Sequence, residues 1–389
     1  MDITITPGKL SGNVAAIPSK SQAHRFLICA AFADAPTTLI CPDANRDIEA
    51  TADCLRDLGC DILRTDNGYH IVPNKDFPQK AQLNCCESGS TLRFILPIVG
   101  ALGVDATFLM AGRLPQRPLS PLWEEMERMG CRLSRPTENT IRCQGKLKCG
   151  EYSIDGSVSS QFITGLLLAL SLQKGESKLT ITGKVESKPY ITMTEQAMAL
   201  FGAPDYRSPG TLTVEGDWSN GAFWLAANAL GSDLTITGLK EDSAQGDRAV
   251  FDILPILQAG KQTVSAADIP DLVPILAIAA AATNGAEFKD IQRLRLKESD
   301  RVASIIAMLT ALGGKAEATD DTLTVFPCSL LGGTVDACND HRIAMAAAIA
   351  STVCTEPVTI LGADCVKKSY PGFWEEFTRL GGNYELNLR

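Results

Sequence analysis

Histidine is scarce in this 389-residue chain, and the three present, His24, His70 and His341, stand at no metal-ligand spacing from one another or from a cysteine. Zinc sites draw on such clusters, so no metal is expected. An excess of cations is missing as well. Lys and Arg total 36 against 45 Asp and Glu, a net charge of −9, which is the wrong sign for a surface that grips phosphate backbones. No nucleic-acid partner is therefore expected. The 13 cysteines include no C-x-x-C, and their odd number and scatter fit buried thiols in a reducing cytosol. The longest apolar run, Leu272 to Ala282, contains Pro274 and is too short to span a bilayer. The start, MDITITPGKL, alternates like a strand and lacks the layout of a signal peptide. A soluble cytoplasmic protein with no membrane partner is expected. Neither a Walker A sequence nor G-x-G-x-x-G occurs, so ATP and NAD binding have no support.

With 45% apolar and 21% charged residues, the chain can build large cores, and at roughly 150 residues per domain it divides into two or three. One phrase recurs: an apolar helical stretch, a Gly, then a β-like segment. The copies centre on Gly59, Gly130, Gly202, Gly260, Gly313 and Gly381. Each Gly is expected to end a helix in the left-handed conformation, and the fourth copy, PILQAGKQTV, is the weakest. A second series interleaves with it. Polar clusters at Lys20-Ser21, Ser88 to Ser90, Ser159 to Gln161, Ser219-Asn220, Glu298 to Arg301 and Asn339 to Arg342 open directly into apolar helices. Helices that apolar are buried, so their positive N-termini are expected to meet at the capping clusters and make an anion site. Around Arg207 to Trp218 a Pro/Gly turn leads into a fresh helix start, leaving three units on each side and suggesting two similar lobes.

Within these clusters, Lys20, Ser21 and Arg25 fall on the first turns of a helix, where cations oppose the dipole unless an anion binds. Glu87-Ser88-Gly89-Ser90-Thr91-Leu92-Arg93 is a small-residue helix opening that lets a ligand approach the backbone, and Arg113 and Arg117 lie in a Pro-stiffened loop. Gly156 to Gln161 supplies two hydroxyls and an amide at a helix start. Lys297 and Arg301 stand four apart with Glu298 between them, while Asp271 reads as a lone carboxylate capping an apolar helix. Asn339-Asp340-His341-Arg342 and Lys368 complete the set.

Taken in order, PSKSQAHR, SGSTLR, LPQRPL, SVSSQ, SKPY, IPD, RLKESDR, NDHR and KKSYPGF resemble the enolpyruvyl transferases, most closely the family of 5-enolpyruvylshikimate-3-phosphate synthases, and span almost the whole chain. The resemblance implies an α/β fold of two lobes, each of three βαβαββ repeats in an inside-out barrel, with the active site in the interlobe cleft. It implies an N-terminal lobe of residues 19–216 and a discontinuous C-terminal lobe of residues 1–18 plus 217–389. The reaction implied is transfer of the enolpyruvyl group of phosphoenolpyruvate to the 5-hydroxyl of shikimate 3-phosphate, through a tetrahedral intermediate that eliminates phosphate, with no cofactor. By motif, Lys20, Ser21, Arg25, Ser159, Ser160, Gln161, Ser187, Asp271 and Lys297 would hold shikimate 3-phosphate. Lys20, Gly89, Arg117, Gln161, Arg301, Arg342 and Lys368 would hold phosphoenolpyruvate. Asp271 would be the base, Glu298 the acid and Lys20 a further catalytic group. A monomer is expected.

The chain departs from the family pattern at Glu87, where the loop ahead of Gly89 carries an acid in place of Asn, and at Arg293, where an Asn is expected. The nearest rival, the UDP-N-acetylglucosamine enolpyruvyl transferases, carry a reactive Cys in a loop whose counterpart here, RLPQRPLS, has none. A non-catalytic anion-binding or nucleic-acid-end-binding protein on a related repeat fold is the rival of another class; it would be marked by loss of Asp271 or Glu298, and both are present.

Overall fold

The computed structural model describes residues 1–387 and divides the chain into two compact units, residues 18–215 and residues 1–17 with 216–389. The chain opens with β1 (Asp2–Thr6) and β2 (Ser11–Ala15), then leaves for the inserted unit. There it forms α1 (Lys20–Ala31), β3 (Thr37–Ile40), α2 (Arg46–Asp57), β4 (Asp61–Thr65), β5 (Gly68–Val72), β6 (Lys80–Asn84) and α3 (Gly89–Leu102). Next come β7 (Asp105–Leu109), α4 (Leu122–Arg128), β8 (Cys131–Ser134), β9 (Thr140–Gly145), β10 (Glu151–Asp155) and α5 (Ser160–Ser171). β11 (Lys178–Thr182), α6 (Lys188–Leu200) and β12 (Thr211–Thr213) complete the unit.

On its return the chain forms α7 (Trp218–Ala229), β13 (Asp233–Thr237), α8 (Val250–Ala259), β14 (Gln262–Ser265), α9 (Val273–Ala281) and β15 (Ala286–Lys289). It continues through α10 (Arg301–Ala311), β16 (Lys315–Ala318), β17 (Thr322–Phe326), β18 (Gly333–Asp336) and α11 (His341–Ala350). β19 (Val358–Leu361), α12 (Phe373–Arg379) and β20 (Asn383–Asn387) end it.

One plan generates four sheets, ordered β12-β3-β5-β4, β6-β7-β9-β8, β14-β15-β17-β16 and β18-β19-β1-β20. In each, the first pair is parallel, and the second strand then pairs antiparallel with a third that is itself antiparallel to the edge strand; in three sheets these last two strands form a hairpin, and in the fourth they are β1 and β20, far apart in sequence. Only the parallel pair remains in the other two, β10-β11 and β13-β2. The six-fold repeat is thus present, with the hairpin missing from its third and fourth copies. After Gly202 the chain runs Ala-Pro-Asp-Tyr, which offers no alternating strand pattern.

Five of the six phrase glycines take positive φ, from +68° at Gly202 to +111° at Gly130. Gly260 differs: at φ 167° its backbone is extended, and the left-handed stop expected there is absent. Each unit has its own hydrophobic core. α9 and α11 are buried at every position, as helices apolar all round must be. In the inserted unit α3 and α5 cross so closely that a Cβ on Gly165 would lie 2.1 Å from the Arg93 carbonyl oxygen. No helix among the described residues is long and apolar enough to cross a membrane.

Candidate functional site

In the inserted unit the helix starts are tied together by buried hydroxyls. Ser19, Asn45, Ser88 and Ser159 cap α1, α2, α3 and α5, each accepting from a backbone N–H of the first turn. His24 Nδ1 meets Thr51 Oγ1 at 2.7 Å, Thr51 meets Thr91 at 2.7 Å, and Thr91 donates to Ser88 at 2.7 Å. Burial, reinforced by Lys20 and Arg25, holds the His24 imidazole well below its usual range, so it is neutral. Lys20, the first residue of α1, reaches Asp47 Oδ2 at 3.0 Å, a partner 27 positions away that sequence reasoning missed.

Arg25 is buried, and its guanidinium donates to the carbonyls of Ser21 (2.6 Å) and Tyr190 (2.8 Å) and to the hydroxyls of Thr194 (2.8 Å) and Thr164 (3.3 Å). It therefore joins α1, α5 and α6 as well as supplying charge, and burial lowers its pKa to about 10. Gly89 and Arg117 come together: a Cβ at residue 89 would lie 2.7 Å from Arg117 Nη1, so a side chain there would push the guanidinium out of this position. Arg93, to which the sequence assigned no role, donates to Gln161 Oε1 at 2.6 Å and to the Pro118 carbonyl at 2.9 Å, while Gln161 Nε2 donates to Ser90 Oγ at 2.9 Å. The Gln161 amide is thereby held at both ends. Ser160 is buried at the start of α5, and Ser187 is buried in the left-handed region at φ 56° ahead of α6.

The other unit carries a denser cluster. Arg301, 1% exposed, sends Nε to Asp340 Oδ2 (2.8 Å), Nη1 to Asp271 Oδ1 (2.5 Å) and Nη2 to Glu298 Oε2 (2.8 Å). Burial alone would lower its pKa, but Asp340, Glu298 and Asp271 raise it well above its ordinary value. Asp340 also caps α11 and accepts from Ser299. Its role was not legible, because its partner is 39 residues away. Asp271 is not the N-cap expected: α9 starts at Val273 with no side-chain cap, and the carboxylate turns instead to Arg301, to Lys297 at 3.6 Å and to Arg342 at 3.8 Å. Burial would raise its pKa, yet those three cations hold it well below the usual carboxylate range. Burial lowers Lys297 to about 8 against the pull of Asp271. Arg342 donates to the Ser219 carbonyl at 2.8 Å, and Lys368 to the Asn339 carbonyl at 2.8 Å. His341 is buried at the start of α11.

A further carboxyl, unassigned from sequence, stands behind this cluster. Asp247 accepts from Ser219 Oγ through one oxygen, and its other oxygen is buried without a partner. Burial and the neighbouring Asp271 raise its pKa to about 7, Arg342 and Ser219 opposing. The unfolded chain loses this proton near pH 3.9 and the folded chain near 7, so stability from this group is full below pH 4 and falls as pH rises through 7, by at most about 1.4 kcal/mol per unit. Asp247→Asn should flatten that slope, read as denaturation midpoints between pH 4 and 8; an unchanged slope would remove Asp247 as its source.

Among the described residues no three His, Cys, Asp or Glu side chains group as metal ligands. The sites instead offer cations, hydroxyls and helix N-termini beside two carboxylates, which suits substrates carrying phosphate and carboxylate groups together with proton transfer.

Fold and chemistry thus define a two-unit α/β-repeat protein whose helix starts are equipped to bind anions. A model of the family EPSP synthase (3-phosphoshikimate 1-carboxyvinyltransferase) matches residues 5–265 and 257–377. The chain is 40% identical to a 3-phosphoshikimate 1-carboxyvinyltransferase of Clostridium kluyveri and 38% identical to one of Clostridium perfringens, covering 98% of each pair. In fold it is similar to EPSP synthase from Acinetobacter baumannii (TM-score 0.79, 22% identity, both chains fully covered). It is also similar to the enolpyruvyl transferase NikO from Streptomyces tendae (TM-score 0.75, 18% identity, 99% and 98% covered). The chain belongs to the EPSP synthase family.

Proposed function

We propose that this protein transfers the enolpyruvyl group of phosphoenolpyruvate to the 5-hydroxyl of shikimate 3-phosphate, releasing phosphate, as a step of the shikimate pathway. The observation that carries the chemistry is the cluster at Arg301, where Asp271 and Glu298 lie on one guanidinium beside Lys297 and Arg342. Asp271 takes the 5-hydroxyl proton. In the free protein three cations make it a weak base; substrate phosphates and carboxylates that draw on those cations raise its pKa and arm it. Glu298 protonates the methylene carbon of phosphoenolpyruvate, and the resulting cation is captured by the hydroxyl. The tetrahedral intermediate then breaks its bond to phosphate and returns one methyl proton to Glu298, which re-forms the double bond of the enolpyruvyl group, and phosphate departs with the proton that Asp271 had taken. Lys20, Ser21, Arg25, Ser159, Ser160, Gln161, Ser187, Asp271 and Lys297 hold shikimate 3-phosphate, while Lys20, Gly89, Arg117, Gln161, Arg301, Arg342 and Lys368 hold phosphoenolpyruvate. Lys20 serves both substrates and stabilises charge at the reacting centre. No metal, cofactor or nucleic acid enters this scheme, and the protein works in the cytoplasm.

The test is phosphate release from phosphoenolpyruvate by the purified protein without added metal, with shikimate 3-phosphate or UDP-N-acetylglucosamine as acceptor. Release with shikimate 3-phosphate alone is expected; release with only the sugar nucleotide would overturn the assignment. Gly89→Ala should displace the Arg117 guanidinium and raise KM for phosphoenolpyruvate at least about tenfold, leaving that for shikimate 3-phosphate near its original value. A variant with both constants unchanged would separate Gly89 and Arg117 from phosphoenolpyruvate.

A further inference from the structure

The two abbreviated copies leave β11 and β13 without the antiparallel neighbour that every complete copy gives the equivalent strand. The loss is of hairpin size. The Clostridium kluyveri relative aligns over 419 positions against 389 residues here, so at least 30 positions go unfilled, about two hairpins like Cys131 to Gly145. An unpaired strand edge is a template for another strand.

The two edges are treated differently. β13 pairs with β2 through the Asp233 N–H and the Thr237 carbonyl, which turns the backbone groups of Leu234 and Ile236 outward. Leu234 is then closed off by Asn228, whose amide oxygen accepts from its N–H (2.8 Å) and whose amide nitrogen donates to its carbonyl (2.7 Å). A side chain stands in there for the missing strand. β11 pairs with β10 through the Lys178 N–H and the Thr182 carbonyl, which turns the backbone groups of Leu179 and Ile181 outward, and among the described residues no side chain bonds to them. Every residue from Lys178 to Thr182 is exposed or half-buried, and Val185 and Leu200 of the same copy are exposed apolar residues.

We infer that β11 pairs antiparallel with β11 of a second copy of this chain, joining two β10-β11 pairs into one four-stranded sheet. The strand's sequence, Lys-Leu-Thr-Ile-Thr, favours this occupant. A two-fold axis through Thr180 sets Leu179 opposite the partner's Ile181, so the outward N–H and C=O groups of both residues bond across the axis, four bonds in all. Thr180 faces its own equivalent. Lys178 faces the partner's Thr182, so no like charges oppose, and each Leu-Ile pair stacks on one face. Parallel pairing in register would set lysine against lysine. The dimer replaces the monomer expected from the sequence, and its axis is isologous and closed, giving no route to fibres.

Sedimentation of the purified chain between about 1 and 100 μM tests this. The wild type should sediment as a dimer. Thr180→Lys and Thr180→Asp, at an exposed position outside the proposed machinery, should each weaken dimerisation at least about tenfold by setting like charges on the axis. Their equimolar mixture should dimerise again, which misfolded variants would not, and both should keep wild-type turnover. A wild type monomeric throughout, or a Thr180→Lys variant as dimeric as the wild type, would overturn the proposal.

Discussion

Arg301→Ala should destabilise the protein by about 3–5 kcal/mol, because it removes the one guanidinium that bonds Asp340, Asp271 and Glu298 together and leaves three carboxylates crowded around the gap. The guanidinium is 1% exposed and Asp340 fully buried, so water cannot take over at Asp340. Arg301→Lys should recover only part of the loss, since one ammonium cannot reproduce three directed donors. Denaturant unfolding of both variants gives the measurement. A loss under about 1 kcal/mol for the alanine variant would mean that the carboxylates are held by other partners and that the cluster does not organise this region.

Asp271→Asn should lower kcat by about 10²–10⁴-fold with little change in KM, the signature of a group that acts in the transition state. The amide keeps the shape and can still accept from Arg301, so the fold should survive where Arg301→Ala threatens it. Its pH profile gives a second reading. The wild-type acid limb should vanish in the variant, and a kcat within about threefold of wild type would take Asp271 out of the proton-transfer role.

The fold class was readable because it rests on local signals repeated many times. A glycine after an apolar helix, and a small polar cluster before one, each mark an element boundary, and several copies locate one another. Errors arose where a copy is defined by what it lacks. The phrases at Phe201-Gly202 and Ala259-Gly260 look like the others up to the glycine, and nothing within them declares that a hairpin is missing. Cap positions slipped by a residue or two: Ser19 rather than Ser21 caps α1, and Asp217 rather than Ser219 caps α7. At the site, contacts within a motif were legible, as with Glu298 and Arg301, three apart on one turn. Contacts between elements were not. Asp340 on Arg301, Asp47 on Lys20, Arg93 on Gln161 and Asp247 behind Ser219 all depend on how helices cross, which periodicity does not encode.

The sheet that ends the chain also begins it: β1 lies between β19 and β20, with Asp2 opposite Asn387 and Ile3 opposite Ile360. During synthesis β1 therefore emerges first and waits for almost the whole protein before either neighbour exists, whereas residues 18–215 contain every partner of their own strands. Translation should leave the inserted unit folded while an unsatisfied apolar strand, Asp-Ile-Thr-Ile-Thr, stays exposed ahead of it. Closure of the last sheet is then a contact of extreme sequence separation, the kind that forms late and slowly. A ribosome stalled near residue 350 would carry one finished half and a second half that cannot yet close.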